Sequence, residues 1–145
     1  MVGFLVFIAL RLVIRHGGES AHVTVLWILS VRSLLTGDLS YNKVHLWLRE
    51  NRAQGWVAIL DRFEAAAAHD LSWSWRAGGV ELIAANREYI EAFVAATAAP
   101  ATKEQAIAVL KSKYPDYALP DIVVLSVGGR LDKWSRVCGR FADSI

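Results

Sequence analysis

Residues 18–39 read GESAHVTVLWILSVRSLLTGDL, and the fold turns on how this run doubles back on itself. The stretch from His22 to Leu29 is β-branched or apolar on both alternating faces, the pattern of a buried strand. SVRS then makes a short turn and SLLTGD supplies a second strand, so the two are expected to pair as a hairpin. The hairpin runs out at Asp38, directly after Gly37. A carboxylate leaving a strand end after glycine stands where backbone can approach closely and a side chain can reach a site. Gly-Asp is equally common turn chemistry. Just upstream, His16, Glu19 and His22 recur at intervals of three. Histidine and carboxylate are ligand types suited to Zn²⁺ or Mn²⁺. That interval is not a strand-face spacing, so only a loop through Gly17 and Gly18 would gather them; the other reading is a polar turn between strands.

On the N-terminal side stands MVGFLVFIALRLVIRH. Its apolar run ends at Arg11, short of the roughly 20 residues a bilayer span requires. The positive charge follows the apolar run, whereas an export signal carries it in front. A buried strand is the expectation, with Leu10, Leu12 and Ile14 alternating against Arg11, Val13 and Arg15.

On the C-terminal side, LSYNKVHLWL is irregular, and a helix is expected over 51–68 with Trp56, Ile59, Leu60 and Phe63 on one face. VELIAANREYIEAFVAATA gives a second helix, with Ile83, Ile90 and Val94 along one side and Pro100 ending it. Thr102 and Gln105 make a capping-box pattern for a third helix reaching about Lys113, with Ile107, Leu110 and Tyr114 as its stripe. DIVVLSV is a last strand or a short helix, broken by GGR, and no period is legible after Leu131. Strands first and helices after indicate an α/β or α+β domain. Residues 1–131 are assigned to it, with 132–145 as a C-terminal tail.

A chain of 145 residues with 54% hydrophobic residues builds one globular domain. The net charge is +2, and Arg11, Arg15, Arg32, Arg49 and Arg52 are scattered, so no basic face for nucleic acid is expected. A single cysteine, Cys138, excludes an internal disulfide and a cysteine-rich metal site, and suits a reducing, cytoplasmic compartment. His45 and His69 are lone histidines among apolar neighbours, expected to be structural. Nucleophile elbow, phosphate-cradling glycine loop and Cys-x-x-Cys are all missing, so catalytic residues are not identified and no cofactor-binding residues are expected beyond a metal site.

The opening stretch resembles the second-half metal-binding hairpin of metallo-β-lactamase-fold hydrolases. Gly18-Glu19-Ser20 falls on that family's Gly-His-Thr turn, and Thr36-Gly37-Asp38 on its Thr-Gly-Asp ending. LSYNKVHLWLRE and the helix GWVAILDRFEAA continue the likeness, which extends over about residues 10–115 and rests mainly on 17–66. The resemblance implies a partial αββα sandwich, the second half of that fold, in which a β-hairpin is followed by helices. It implies a site for zinc or another divalent metal, with Asp38 as bridging carboxylate, Glu19 in place of a histidine and His22 as a substitute ligand. The metal would activate a hydroxide toward an ester, thioester, lactam or phosphodiester.

Against the family pattern, the His-x-His-x-Asp-His cluster of the first half is missing, as though the true start lay upstream of Met1. The Pro-Gly-His-Gly loop is missing too, and SWSWR stands in its place. Codons TCC-TGG-TCA-TGG-CGN for Ser72 to Arg76, read one base later, give Pro-Gly-His-Gly, so residues 72–78 are read as a frame-shifted ligand loop. Trp75 cannot ligate, and a catalytic zinc wants three protein ligands. The expectation is therefore a truncated metal-dependent hydrolase with weak or no activity. The alternative is a non-catalytic interaction module, as a homodimer or with a complementing first-half domain. Membrane attachment through residues 2–14 ranks last.

Overall fold

The computed structural model describes residues 13–15, 18–28, 33–68, 79–98 and 102–142. Strands β1 (Val13–Arg15), β2 (His22–Thr24), β3 (Leu26–Ile28) and β4 (Ser33–Leu35) are three residues each. A 3₁₀ turn, Gly37–Leu39, follows. Then come helices α1 (Ala53–Ala68), α2 (Glu81–Ala96), α3 (Lys103–Lys113) and α4 (Pro120–Ala142).

The hairpin expected from the sequence forms, with Leu26 opposite Leu35 and Ile28 opposite Ser33. The continuous strand expected over 22–29 does not. Val25 separates β2 from β3, and β2 pairs backward with β1, setting Arg15 opposite His22. The described strands thus form two separate two-stranded antiparallel ladders. This overturns the expected α/β class and its partial αββα sandwich. Such a sandwich needs broad sheets to carry its helices, and three-residue strands in two pairs offer no such platform. The described part of the chain is mostly helical.

The core confirms where the weight lies. Trp56 and Leu60 of α1, Ile83, Tyr89, Ile90 and Phe93 of α2, Leu110 of α3, and Val123 and Val127 of α4 are essentially inaccessible to water. Each such side chain contributes about 1.5–3 kcal/mol on burial. Val23, Val25 and Leu34 join this core from the strands and the residues between them. The packing runs α1 on α2, α2 on α3 and α3 on α4.

The apolar period of α1 lands as read, with Trp56, Ile59, Leu60 and Phe63 all buried. Arg87 of α2 ties the pair from outside, reaching Asp61 at 2.8 Å and Glu64 at 2.6 Å. Helix α3 begins with the expected capping box: Gln105 N–H donates to Thr102 Oγ1 at 3.2 Å, and Thr102 N–H to Gln105 Oε1 at 3.0 Å.

Helix α4 corrects the expected break. It runs from Pro120 to Ala142, unbroken through Gly128-Gly129-Arg130, so GGR is no terminus. Two helical glycines cost roughly 1 kcal/mol each relative to alanine. They are tolerated because the side chains of Lys103 and Arg49 lie over them, while Val123, Ser126 and Val127 just before them are buried. Pro120 opens the helix, where its fixed φ fits and its missing N–H is not needed.

The irregular stretch 43–48 joins the two ends of the domain. His45 N–H donates to Ala118 O at 3.1 Å and Ala118 N–H to Lys43 O at 2.9 Å. Ser126 Oγ accepts from Leu48 N–H at 3.0 Å and donates to Leu46 O at 3.3 Å. Among the described residues, no helix is long and apolar enough to cross a membrane. The opening strand before Val13, His16, His69, Pro100 and the loop at 72–78 lie outside the described residues.

Candidate functional site

Glu19 and Asp38 come together, and what joins them is Tyr41. The Tyr41 hydroxyl donates to Glu19 Oε2 at 2.5 Å and lies 3.3 Å from Asp38 Oδ1. The approach depends on small residues. Gly18 is buried where a Cβ would run into Leu39 and Val23, and Gly37 adopts φ +52°, a left-handed conformation that favours glycine. Loop 18–21 is thereby laid on the turn that carries Asp38.

Tyr41 is itself held from two sides. The Asn86 side chain clasps its backbone, with Oδ1 accepting from Tyr41 N–H at 3.0 Å and Nδ2 donating to Tyr41 O at 2.8 Å. Nδ2 also donates to Leu82 O at 2.7 Å, within α2. On the other side, Trp56 Nε1–H donates to Leu39 O at 2.9 Å and pins the 3₁₀ turn to α1. Neither Tyr41 nor Asn86 was legible as a site residue. The available signal was Asn86 itself, a polar residue within the apolar stripe of α2.

Electrostatics follow from this packing. Burial raises the Glu19 pKa above the usual carboxylate value; the Tyr41 hydrogen bond opposes that rise and the Asp38 charge adds to it. The phenol of Tyr41 is pushed far up, first by burial and then by the hydrogen bond to Glu19, and it keeps its proton throughout the physiological range.

His22 does not join the pair. The burial alternation of β2 places Val23 inward and His22 and Thr24 outward. The Ser20 hydroxyl donates to the His22 carbonyl at 2.8 Å, so the contact near the site comes from its backbone. Among the described residues, no three His, Cys, Asp or Glu side chains are grouped to hold a metal ion. Two carboxylates and a protonated phenol are not the donor set of a catalytic zinc, which takes three protein ligands and leaves one position open. The implied zinc does not fit these residues.

Beside the pair lies an open cleft of about 360 Å³, lined by Glu19, Ser20, Ala21, Trp47, Glu50 and Arg52. The Arg49 guanidinium carbon stands 6.0 Å from the centre of the Trp47 ring.

A second cluster surrounds His45, which is buried. Its Nδ1 lies 2.9 Å from Tyr89 Oη, and its ring meets those of Tyr89 and Tyr117, each at 5.6 Å. Burial lowers its pKa, with a smaller push from the Lys111 charge.

Comparison with protein-family models, curated proteins and solved structures returned no match to this chain. The resemblance to metallo-β-lactamase-fold hydrolases finds no support there.

Proposed function

We propose that this chain works by association with a second copy of itself, and that Glu19, Tyr41 and Asp38 form a clasp inside the fold instead of a hydrolytic centre. The observation that carries the clasp is the Tyr41 hydroxyl set against both carboxylates; the one that carries association is Leu35, exposed on the short β3–β4 ribbon. The group meeting the two expected ligands is a phenol of the chain itself, held in place by Asn86.

Association is supported by the β3–β4 ribbon. Two-stranded ribbons are marginal alone, and three or more strands are needed for independent stability. Leu35 of β4 is 51% exposed. Two copies meeting edge to edge at β4 would form one four-stranded antiparallel sheet and cover both leucines. A single cysteine suits such an assembly in a reducing, cytoplasmic compartment.

Light scattering across a concentration series tests this reading. Twice the chain mass is expected for the wild type and the monomer mass for Leu35→Lys. A wild type that stays monomeric at all concentrations removes the proposal.

A second reading keeps the metal-dependent hydrolase lineage, with a hard divalent cation between Glu19 and Asp38. The convergence of those two residues favours it. It requires stoichiometric metal uptake that Asp38→Ala abolishes.

A further inference from the structure

His45 stands where three parts of the molecule meet. Its ring lies against Tyr89 of α2 and against Tyr117 in the connector between α3 and α4. Its backbone N–H bonds the same connector at Ala118. Tyr89, Tyr114 and Tyr117 close the cluster, with ring centres 4.8–5.7 Å apart. Inside this cluster His45 Nδ1 and Tyr89 Oη face each other at 2.9 Å.

That contact does not fix the tautomer: a phenol hydroxyl can donate to Nδ1 or accept from it. What the site withholds is water. His45 is 2% exposed, so protonation would leave a charge unsolvated at the junction of the three segments. The charged groups nearby give it no relief. Lys111 of α3 is a cation, and the Glu88 carboxylate of α2 is engaged by Lys113 at 3.0 Å.

We propose that His45 is an acid-operated latch: neutral, it fastens the α3–α4 connector to α2 and the 43–48 segment; protonated, it releases that connector. The direction follows from linkage. The closed state lowers the His45 pKa, so the latch is whole above the ordinary histidine value near 6.5 and weakens as pH falls from there toward the lowered one. Below both values no further loss occurs.

Amide hydrogen exchange on the full chain, normalised for the intrinsic pH dependence of exchange, tests the latch between pH 8 and pH 5. The reporters are the amides of His45 and Ala118, whose bonds cross it, with Phe93 in α2 as reference. Protection at the two reporters should be flat above pH 7. It should then fall by up to about tenfold per pH unit below about 6.5, while Phe93 holds. His45→Gln, which carries no titrating group there, should abolish the dependence. Should that variant not fold, the wild type decides alone, since the His45 ring resonance must titrate below 6.5 over the range in which the connector opens. Flat protection, an unlowered ring titration, equal loss at Phe93, or the same acid dependence in His45→Gln would each overturn the latch.

Discussion

Removing one oxygen, in Tyr41→Phe, takes away the hydrogen bond to the Glu19 carboxylate and leaves the ring in place. Charge-assisted bonds are worth about 1.5–3 kcal/mol when buried; at this half-buried position urea unfolding should show a loss of about 1 kcal/mol. The Glu19 titration, followed by carboxyl NMR, should move further up, because the Tyr41 bond is the influence holding it down. An unchanged midpoint would show that the bond does not form. The pH dependence has a definite sign. A carboxyl whose folded pKa is raised contributes stability that is full below its unfolded value and is lost as pH rises through the folded one. Glu19→Gln carries no such loss and should be at least as stable as the wild type at pH 7. Glu19 and Asp38 were legible in the sequence because carboxylates beside glycines belong to the vocabulary of ligand sites. Tyr41 was not, because a phenol that keeps its proton does not. His22 was singled out with Glu19 and Asp38, and the structure turns it outward on β2; which face turns inward leaves no mark in the local sequence.

The elements read from period alone are the ones the structure keeps. Helices α1, α2 and α3 carry apolar residues at helical spacing, and α3 also carries its own start signal in Thr102 and Gln105. Helix α4 was hidden by Gly128 and Gly129, whose cost is offset only by tertiary contacts with Lys103 and Arg49. The strands were misjudged for a related reason: which neighbour pairs with His22–Thr24 is settled across the fold and leaves no mark in alternation. Two substitutions probe how the elements are joined. Asn86→Ala orphans the Tyr41 N–H and C=O together and should cost about 2–3 kcal/mol by urea unfolding. Ser126→Ala strips Leu48 N–H of its acceptor and should cost about 1–2 kcal/mol by the same measurement. A loss under 0.5 kcal/mol in both, the level of an ordinary surface change, would mean that packing alone holds these segments.

Among the described residues the balance lies with helices, and the strands form two short two-stranded ribbons. A hairpin motif is a local pattern. Whether it becomes part of a sandwich depends on strands that must come from elsewhere, and local sequence does not reveal them. The same limit applies to chemistry: two carboxylates in the expected register make a metal centre only if a third ligand arrives, and here Tyr41 meets them. Titration calorimetry with Zn²⁺ and with Mn²⁺, on wild type and Asp38→Ala, puts this most directly. The account predicts no saturable binding that differs between the two proteins; one ion per wild-type chain, lost on substitution of Asp38, would contradict it.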